Sequence, residues 1–138
     1  MSAAWEACGA RVERIAPERH DAVLAAVSHL PHLLAYALMV QIAEAPDADL
    51  KLGFAGGGFR DFTRIAASSP EMWRDIALAN RDALLAELDD YRARLDAMRA
   101  AIAGSEGASL EALFRIASEA RQRWAAEVRS VRTRSGDR

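Results

Sequence analysis

The segment Gly53–Ile76, GFAGGGFRDFTRIAASSPEMWRDI, carries the features that decide both the fold and the binding role of this chain. Three consecutive glycines lead into a cluster of charged residues, and a helix-start signal and a tryptophan follow. A linker needs the glycines but no charged cluster, whereas a surface helix needs the charges but no glycines. The combination predicts one wall of an anion-binding site in a helical protein.

Downstream, Ser69-Pro70-Glu71 is a helix start, with a hydroxyl cap, a proline at the first helical position and an acid in the first turn. Apolar positions then follow a spacing of three and four residues, which predicts one helix of about 33 residues, some 50 Å long at about 1.5 Å per residue. We expect part of so long an apolar stripe to pack against a second copy of the chain. The stripe consists of Trp73, Ile76, Ala77, Asn80, Leu84, Leu88, Tyr91, Leu95, Met98 and Ile102.

Upstream, a second apolar helical face begins after Pro17 and ends near Pro46. Pro31 lies inside this pattern, so we expect a kink near Val27–Pro31, because proline lacks a backbone donor and clashes with the preceding turn. Residues 46–58 are predicted to form a loop, and FRDFTRIA (59–66) a short helix.

At the C-terminal side, GSEG (104–107) stops the long helix and Ser109 is predicted to cap a last one. At the other end, AAWEACGA resembles the end of a helix that stops at Gly9, and RVERIA (11–16) alternates like a short strand. A single strand is not stable alone, so it either pairs with another chain or belongs to the edge of another domain. The predicted class is an all-α helical bundle or dimerisation domain with long antiparallel C-terminal helices, preceded by a short remnant helix and strand.

The bulk composition limits the possible partners and compartments. The chain has 138 residues, 51% of them hydrophobic, and a net charge of −2, so one domain is expected and no global field favours nucleic acid. Cys8 is the single cysteine, which fits a reducing cytoplasm. We predict no membrane-spanning segment and no secretion signal.

Two histidines, His29 and His32, lie three residues apart and should share one side of their helix, beside Ser28. They are either partly buried rings bonded to the backbone or members of a binding site. A zinc site needs a third and a fourth ligand, and the remaining histidine, His20, lies more than two turns away. No metal site is predicted.

The glycine run does not follow a strand, so a dinucleotide-binding loop is not predicted. It leads instead to Arg64, three residues after Asp61 on the same helical face, where the carboxylate could orient the guanidinium to bind a substrate carboxylate bidentately. A flexible loop with a surface ion pair is the alternative. Trp73, in the first turn after Ser69, either fills the core or flanks a pocket.

These motifs, taken in order, resemble a known family. HDAVLAAVSHLPHLLAYAL (20–38) followed by FAGGGFRDFTRIAASSPEMWRDI (54–76) is similar to the C-terminal domain of the prephenate/arogenate (cyclohexadienyl) dehydrogenases. The resemblance covers residues 17–103 closely and the last helix loosely. It implies three parts: residues 1–16 as the end of a nucleotide-binding domain, 17–130 as a helical substrate-binding and dimerisation domain, and 131–138 as a tail.

The resemblance implies an NAD- or NADP-dependent oxidative decarboxylation of prephenate or arogenate in tyrosine biosynthesis, by a cytoplasmic homodimer. By motif position, the implied substrate-binding residues are Ser28, His32, Gly57, Arg64 and Trp73, and Asp61 is the implied gating acid.

This chain also departs from the family. The dinucleotide fingerprint and the catalytic histidine belong to the N-terminal nucleotide-binding domain, and none of His20, His29 and His32 matches that histidine. We therefore expect no catalytic residue and no bound cofactor in this chain, and no turnover by it alone, as for an excised domain or a split-gene product. The alternative is a non-enzymatic helical dimerisation module that keeps only the packing residues of the family.

Overall fold

A computed structural model describes residues 2–10 and 12–136 of the chain. Within this described part every regular element is helical, which confirms the all-α class. The α-helices are α1 (Ser2–Ala7), α2 (Pro17–Leu24), α3 (Leu30–Ala43), α4 (Ala48–Gly53), α5 (Gly57–Thr63), α6 (Pro70–Ala79), α7 (Arg81–Ala103) and α8 (Gly107–Gly136). A π-helical turn at Ala25–His29 links α2 to α3, and a 3₁₀ turn at Arg64–Ala67 follows α5.

The chain divides into two compact units, a central unit of residues 15–91 and a terminal unit of residues 1–14 and 92–138. Every predicted site residue lies in the central unit. There, α3 packs against α4, α5 and the 3₁₀ turn. The Tyr36 hydroxyl on α3 donates a 2.8 Å hydrogen bond to the carbonyl oxygen of Ser68, which ties α3 to the end of the 3₁₀ turn.

The expected kink before Pro31 takes the form of the π turn. The backbone N–H of Leu30 donates to the carbonyl oxygen of Ala25, five residues back rather than four. A wider turn directly before the proline accommodates its ring, which would otherwise press on the carbonyl of the preceding turn. The helix therefore continues through Pro31 instead of ending there.

The composition of this same helix, residues 17–43, bears on the prediction that the chain has no membrane-spanning segment. By length and composition alone it could cross a membrane, with a mean hydropathy of 1.7 over its most apolar window. The core helix of a globular domain can pass the same test, and Ala25, Leu30 and Ala35 on this helix are buried. Only 17% of its most apolar stretch is fully buried within the chain, and most of the other side chains in residues 24–39 are half-buried.

The predicted single helix after Ser69 is wrong, because it is broken at Asn80. Helix α6 ends at Ala79, Asn80 has φ −110° and ψ 37°, and α7 begins at Arg81. The spacing of the apolar residues continues across the break, so it does not indicate where α6 ends. Asn80 leaves the helical conformation while its side chain bonds to groups far away in sequence, a tertiary contact that periodicity does not report.

Helix α6 begins directly after Ser69, as the sequence predicts. Ser69 is its N-cap, and its Oγ accepts a 3.3 Å hydrogen bond from the backbone N–H of Met72. We expect Ser69→Ala to lower the free energy of unfolding by about 1 kcal/mol in urea denaturation, because one helical N–H loses its acceptor. Ser109→Ala is the matched control, since the Ser109 hydroxyl donates only to the exposed Glu106 carboxylate. Equal losses in both variants would contradict the capping role.

The predicted loop 46–58 contains a helix. Residues Ala48–Gly53 form α4, which Asp47 and Lys51 support with a 2.6 Å ion pair four residues apart. Helix α5 then begins at Gly57, so the connection between the two helices is only three residues long. Aspartates and glycines favour turns, but here the i,i+4 pair and packing against α3 make the segment helical.

In the terminal unit, α1 is followed by Gly9 at φ 81°, which agrees with the predicted glycine stop. The predicted strand is wrong for residues 12–16, which have no regular structure; Arg11 lies outside the described residues. A strand needs a partner, and the described part of the chain offers none. Helix α8 begins at Gly107, two residues before the predicted cap, and continues to Gly136 through most of the predicted tail.

Candidate functional site

Two histidines from the π turn and α3 surround one tryptophan from α6. The His32 ring stacks on Trp73 with ring centroids 3.6 Å apart and planes at 20°, and His29 meets the same indole at 6.1 Å and 78°. Both histidines therefore share one side of their helix, as predicted. Trp73 is only 8% exposed, so the stack is part of the core of the central unit. We call His29, His32 and Trp73 the aromatic cluster.

The protonation of His32 follows from its backbone contact. Its Nδ1 lies 2.9 Å from the carbonyl oxygen of Ser28, which can only accept, so Nδ1 carries the hydrogen. Nε2 is then an acceptor in the neutral ring and a donor in the protonated ring. The neutral ring can receive a hydroxyl hydrogen, and the charged ring can bind a carboxylate. Ser28 contributes to this arrangement through its backbone rather than its hydroxyl.

The indole nitrogen of Trp73 is buried without an acceptor among the described residues. An unpaired buried donor costs about 1–3 kcal/mol, so such groups are uncommon in folded proteins. Together with the stack on His32, this makes Trp73 both a core residue and a residue with unused hydrogen-bonding capacity. Filling the core and flanking a pocket, the two alternatives for Trp73 drawn from the sequence, therefore do not exclude each other.

Asn80 joins the cluster, although from the sequence it was only one position of the apolar stripe. Its Nδ2 donates to the carbonyl oxygen of Asp21 at 2.8 Å and lies 3.2 Å from Nδ1 of His29. The available signal was a polar residue at a position of an otherwise apolar stripe. An amide at such a position usually has a tertiary partner, because an unpaired polar group is costly to bury.

The pKa of His29 is lowered from its ordinary value of 6.5. Burial is the main cause, because it disfavours the charged ring, and the charge of the nearby His32 acts in the same direction. His20 also lowers it, whereas the Asp21 carboxylate opposes the shift. His29 is therefore held as the neutral ring near neutral pH.

This shift predicts how stability depends on pH. A lowered pKa means that the unfolded chain binds more protons than the folded chain, so the contribution of His29 is complete above pH 6.5. It is lost as the pH falls through 6.5 towards the lower pKa of the folded state. We expect urea denaturation of His29→Gln to show a flatter fall in unfolding free energy over this range than the unsubstituted protein. His20→Gln, which removes only the smallest cause of the shift, should change the slope less, and an unchanged slope in His29→Gln would contradict the assignment.

A second group of predicted residues lies around Arg64. Arg64 and Arg60 both line a cleft of about 430 Å³ between α3, α4, α5 and the 3₁₀ turn, with Thr63 between them. Within the described residues neither guanidinium forms an ion pair, so the expected pairing of Asp61 with Arg64 is not formed. Asp61 is exposed and lies outside the cleft lining. Two cations at an apolar cleft suit a ligand that carries a carboxylate and a ring.

The glycine run lies at the edge of this region. Gly57 is the first residue of α5, and a Cβ added there or at Gly53, Gly56 or Gly58 would meet nothing within 4 Å. None of the four has the positive φ that favours glycine. The fold of the single chain therefore does not require glycine at these positions, and a requirement at Gly57 would come from a group that approaches from outside.

The structure thus divides the predicted site residues into two groups. Ser28, His32 and Trp73 come together, whereas Arg64 lines a cleft that includes neither His32 nor Trp73. Among the described residues, no three His, Cys, Asp or Glu side chains are grouped so that they could hold a metal ion. The first group lies on the π turn, α3 and α6, and Arg64 begins the 3₁₀ turn.

The chain matches a known protein family over most of its length. Residues 16–116 match the family described as "Prephenate dehydrogenase, dimerization domain". A cyclohexadienyl dehydrogenase from Zymomonas mobilis is 44% identical over 119 residues, which are 85% of this chain and 41% of the relative. A prephenate dehydrogenase from Bacillus subtilis is 50% identical over 72 residues, 51% of this chain and 19% of the relative. The chain therefore spans less than half the length of these relatives.

Solved structures agree with this match. An arogenate dehydrogenase from Synechocystis aligns with a TM-score of 0.80 and 31% identity, over 86% of this chain and 44% of that one. A prephenate dehydrogenase from Aquifex aeolicus, in complex with hydroxyphenyl propionate and NAD+, aligns with a TM-score of 0.75 and 38% identity, over 86% and 42% of the two chains. The likeness extends beyond the central unit into residues of the terminal unit, since residues 15–91 are fewer than 86% of the chain.

Proposed function

Because the chain belongs to the family of the prephenate dehydrogenase dimerization domain, we propose that it is the substrate-binding and dimerisation part of a prephenate or arogenate dehydrogenase. The reaction would be the oxidative decarboxylation step of tyrosine biosynthesis. The observation that carries the proposal is the His32 ring, stacked on Trp73 and fixed through Nδ1, which leaves Nε2 without a hydrogen bond among the described residues.

The proposed substrate carries carboxylates and a ring, and the residues offer a partner for each. The guanidinium of Arg64 can bind a carboxylate through two parallel hydrogen bonds. His32 can take a hydroxyl hydrogen, or bind a second carboxylate when it is protonated. Such fixed contacts orient the ring, and orientation is a large part of what a binding domain contributes to catalysis.

The dinucleotide, NAD or NADP, would supply the hydride acceptor in the whole enzyme. The residues of this chain do not fit it, because the described part contains no βαβ unit and the glycine run precedes a seven-residue helix without a preceding strand. We therefore assign binding and orientation to this chain, and hydride transfer to a nucleotide-binding domain that is not among its described elements. Turnover by this chain alone is not expected.

The proposed partner in solution is a second copy of the chain. The helix of residues 17–43 is highly apolar and leaves Val27 and Val40 exposed, and exposed apolar side chains occur on other elements, including Phe54 at 85% exposure. Large apolar surfaces of this kind mark interfaces. The family description, a dimerization domain, supports the same assignment.

A cytoplasmic location is part of the proposal. Cys8 is exposed and unpaired, and a free surface thiol is typical of a reducing compartment. The biosynthetic enzymes that the chain resembles are consistent with this location.

A non-enzymatic dimerisation module is the second candidate. The observation that favours it is the separation of Arg64 from the aromatic cluster, since the cleft that Arg64 lines includes none of His29, His32 and Trp73. In this case the chain would keep the packing residues of the family without binding its substrate.

Titration of the chain with prephenate and with 4-hydroxyphenylpyruvate, followed by the NMR signals of the indole N–H groups, tests the proposal. Trp5 and Trp124 are 63% and 56% exposed and lie outside the central unit, so they serve as internal controls for Trp73. We expect a saturable shift of the Trp73 signal at millimolar ligand. If no shift occurs even after addition of a nucleotide-binding domain from the Zymomonas relative, the module is the correct assignment.

A further inference from the structure

Asn80 is the only asparagine of the chain, and it lies at the break between α6 and α7. Its half-buried side chain reaches two groups that are distant in sequence, the Asp21 carbonyl 59 residues away and the His29 ring 51 residues away. All three belong to the central unit. The contacts therefore join the start of the long apolar helix to the end of the helix that carries Trp73.

These contacts determine which atoms carry hydrogens. The Asp21 carbonyl oxygen can only accept, so the Asn80 atom beside it is the amide nitrogen. The same nitrogen has a second hydrogen, which points to His29 Nδ1 at 3.2 Å. His29 Nδ1 must then accept, so the neutral ring carries its hydrogen on Nε2.

The two histidines of the aromatic cluster are thus fixed in opposite forms. His32 is held with the hydrogen on Nδ1 by the Ser28 carbonyl, and His29 with the hydrogen on Nε2 by the Asn80 amide. The Trp73 indole stacks on the face of the His32 ring and lies at a steep angle to the His29 ring. The indole therefore contacts both rings.

We propose that Asn80 is a positioning residue, which fixes the tautomer and orientation of His29 and so holds the Trp73 indole in the plane on which His32 stacks. The effect on ligand affinity rests on the proposed function, whereas the effect on the cluster does not. Asn80 touches no substrate in this arrangement. Its role is to keep the ring of His32 in one place before a ligand arrives, which lowers the ordering cost of binding.

A simpler role for Asn80 would be helix termination alone. Asparagine is frequent where helices end, and the Asn80 N–H bonds to the Ile76 carbonyl as a terminal residue does. That role uses the backbone and needs no particular atoms at the end of the side chain. Asn80→Asp separates the two roles, because aspartate keeps the size of the side chain but has no amide hydrogens.

The matched control is Gln122→Glu on α8. It makes the same change from amide to carboxylate and adds the same charge, at an exposed residue whose amide bonds only to Ser118 in the next turn. Both variants and the unsubstituted chain would be measured by two-bond ¹H–¹⁵N correlation of the histidine rings, which reports the hydrogen on each ring nitrogen. The Trp73 indole signal is read in the same samples.

We expect His29 of the unsubstituted chain to carry its hydrogen on Nε2. In Asn80→Asp the carboxylate should draw a hydrogen onto Nδ1 and shift the Trp73 signal, while Gln122→Glu changes neither. Affinity for 4-hydroxyphenylpyruvate should fall about fivefold in Asn80→Asp, the equivalent of one neutral hydrogen bond.

A hydrogen on Nδ1 of His29 in the unsubstituted chain would overturn the proposal without the use of any variant, so a poorly folded Asn80→Asp does not prevent the test. A Trp73 signal that is the same in Asn80→Asp and Gln122→Glu would also overturn it. Absence of ligand binding by the unsubstituted chain would count against the proposed function instead, because the ring and indole signals are read without ligand.

Discussion

Replacing Arg64 by alanine is expected to weaken binding of prephenate or 4-hydroxyphenylpyruvate by about 100-fold. Two charge-assisted hydrogen bonds to one carboxylate are together worth about 3 kcal/mol, which corresponds to a factor of about 100 in affinity. The guanidinium has no ion-pair partner within the described residues, so it is available to a ligand without breaking an internal contact. The measurement is the midpoint of the indole NMR titration.

Two further variants show whether geometry or charge is responsible. Arg64→Lys keeps the charge but loses the planar pair of donors, so we expect it to recover only a small part of the affinity. Arg60→Ala removes a cation from the same cleft, four residues earlier, and is expected to change affinity less than threefold if Arg64 alone meets the carboxylate. Equal losses for Arg60→Ala and Arg64→Ala would point to a general positive field instead. No loss for Arg64→Ala would favour the non-enzymatic module.

Replacing Trp73 by alanine is expected to lower the free energy of unfolding by about 3–5 kcal/mol. Trp73 is the only aromatic residue among the buried core residues of the described chain, and it carries the stack with His32 and the contact with His29. It also borders an apolar cleft of about 270 Å³ with Leu33 and Tyr36, so truncation would enlarge a space that the neighbours do not fill. A loss of this size is a large share of the 5–15 kcal/mol that stabilises a typical domain.

Trp124→Ala is the matched control for this variant. Trp124 is 56% exposed and contacts the guanidinium of Arg121 at 4.7 Å from the ring centroid, a contact worth about 0.5–1 kcal/mol at an exposed site. Urea denaturation at one fixed protein concentration compares the two, because dimerisation would make stability depend on concentration. Comparable losses for Trp73→Ala and Trp124→Ala would show that the aromatic cluster is not the centre of the core.

The fold was predictable wherever local chemistry decides it. Ser69 begins a helix because its hydroxyl accepts a backbone N–H in the first turn, and Gly9 ends one because it adopts a positive φ. Both effects depend only on residues a few positions apart. The same holds for Pro31, whose ring disturbs the turn before it.

The features that were not predictable depend on distant partners. Asn80 fits the spacing of an apolar stripe, and only its bonds to Asp21 and His29 explain why the helix breaks there. The alternation in residues 12–16 predicted a strand, but strand formation needs a neighbour that the described part of the chain lacks. For the site, spacing within one helix brought His29 and His32 together, whereas the distance in space between Arg64 and Trp73 cannot be read from their separation in sequence.

The π turn at Ala25–His29 has a consequence for insertions and deletions in this helix. A π turn is equivalent to one extra residue in an α-helix, and one residue corresponds to a rotation of about 100°. Removing one residue there would restore regular winding with both flanks in phase. Regular α winding of all the residues would instead turn α2 by that angle relative to α3. Asp21 would then face away from Asn80 while Tyr36 kept its bond to Ser68. The extra residue therefore sets the rotation of α2 relative to α3. One continuous helix can then bond to Asn80 through Asp21 and to Ser68 through Tyr36.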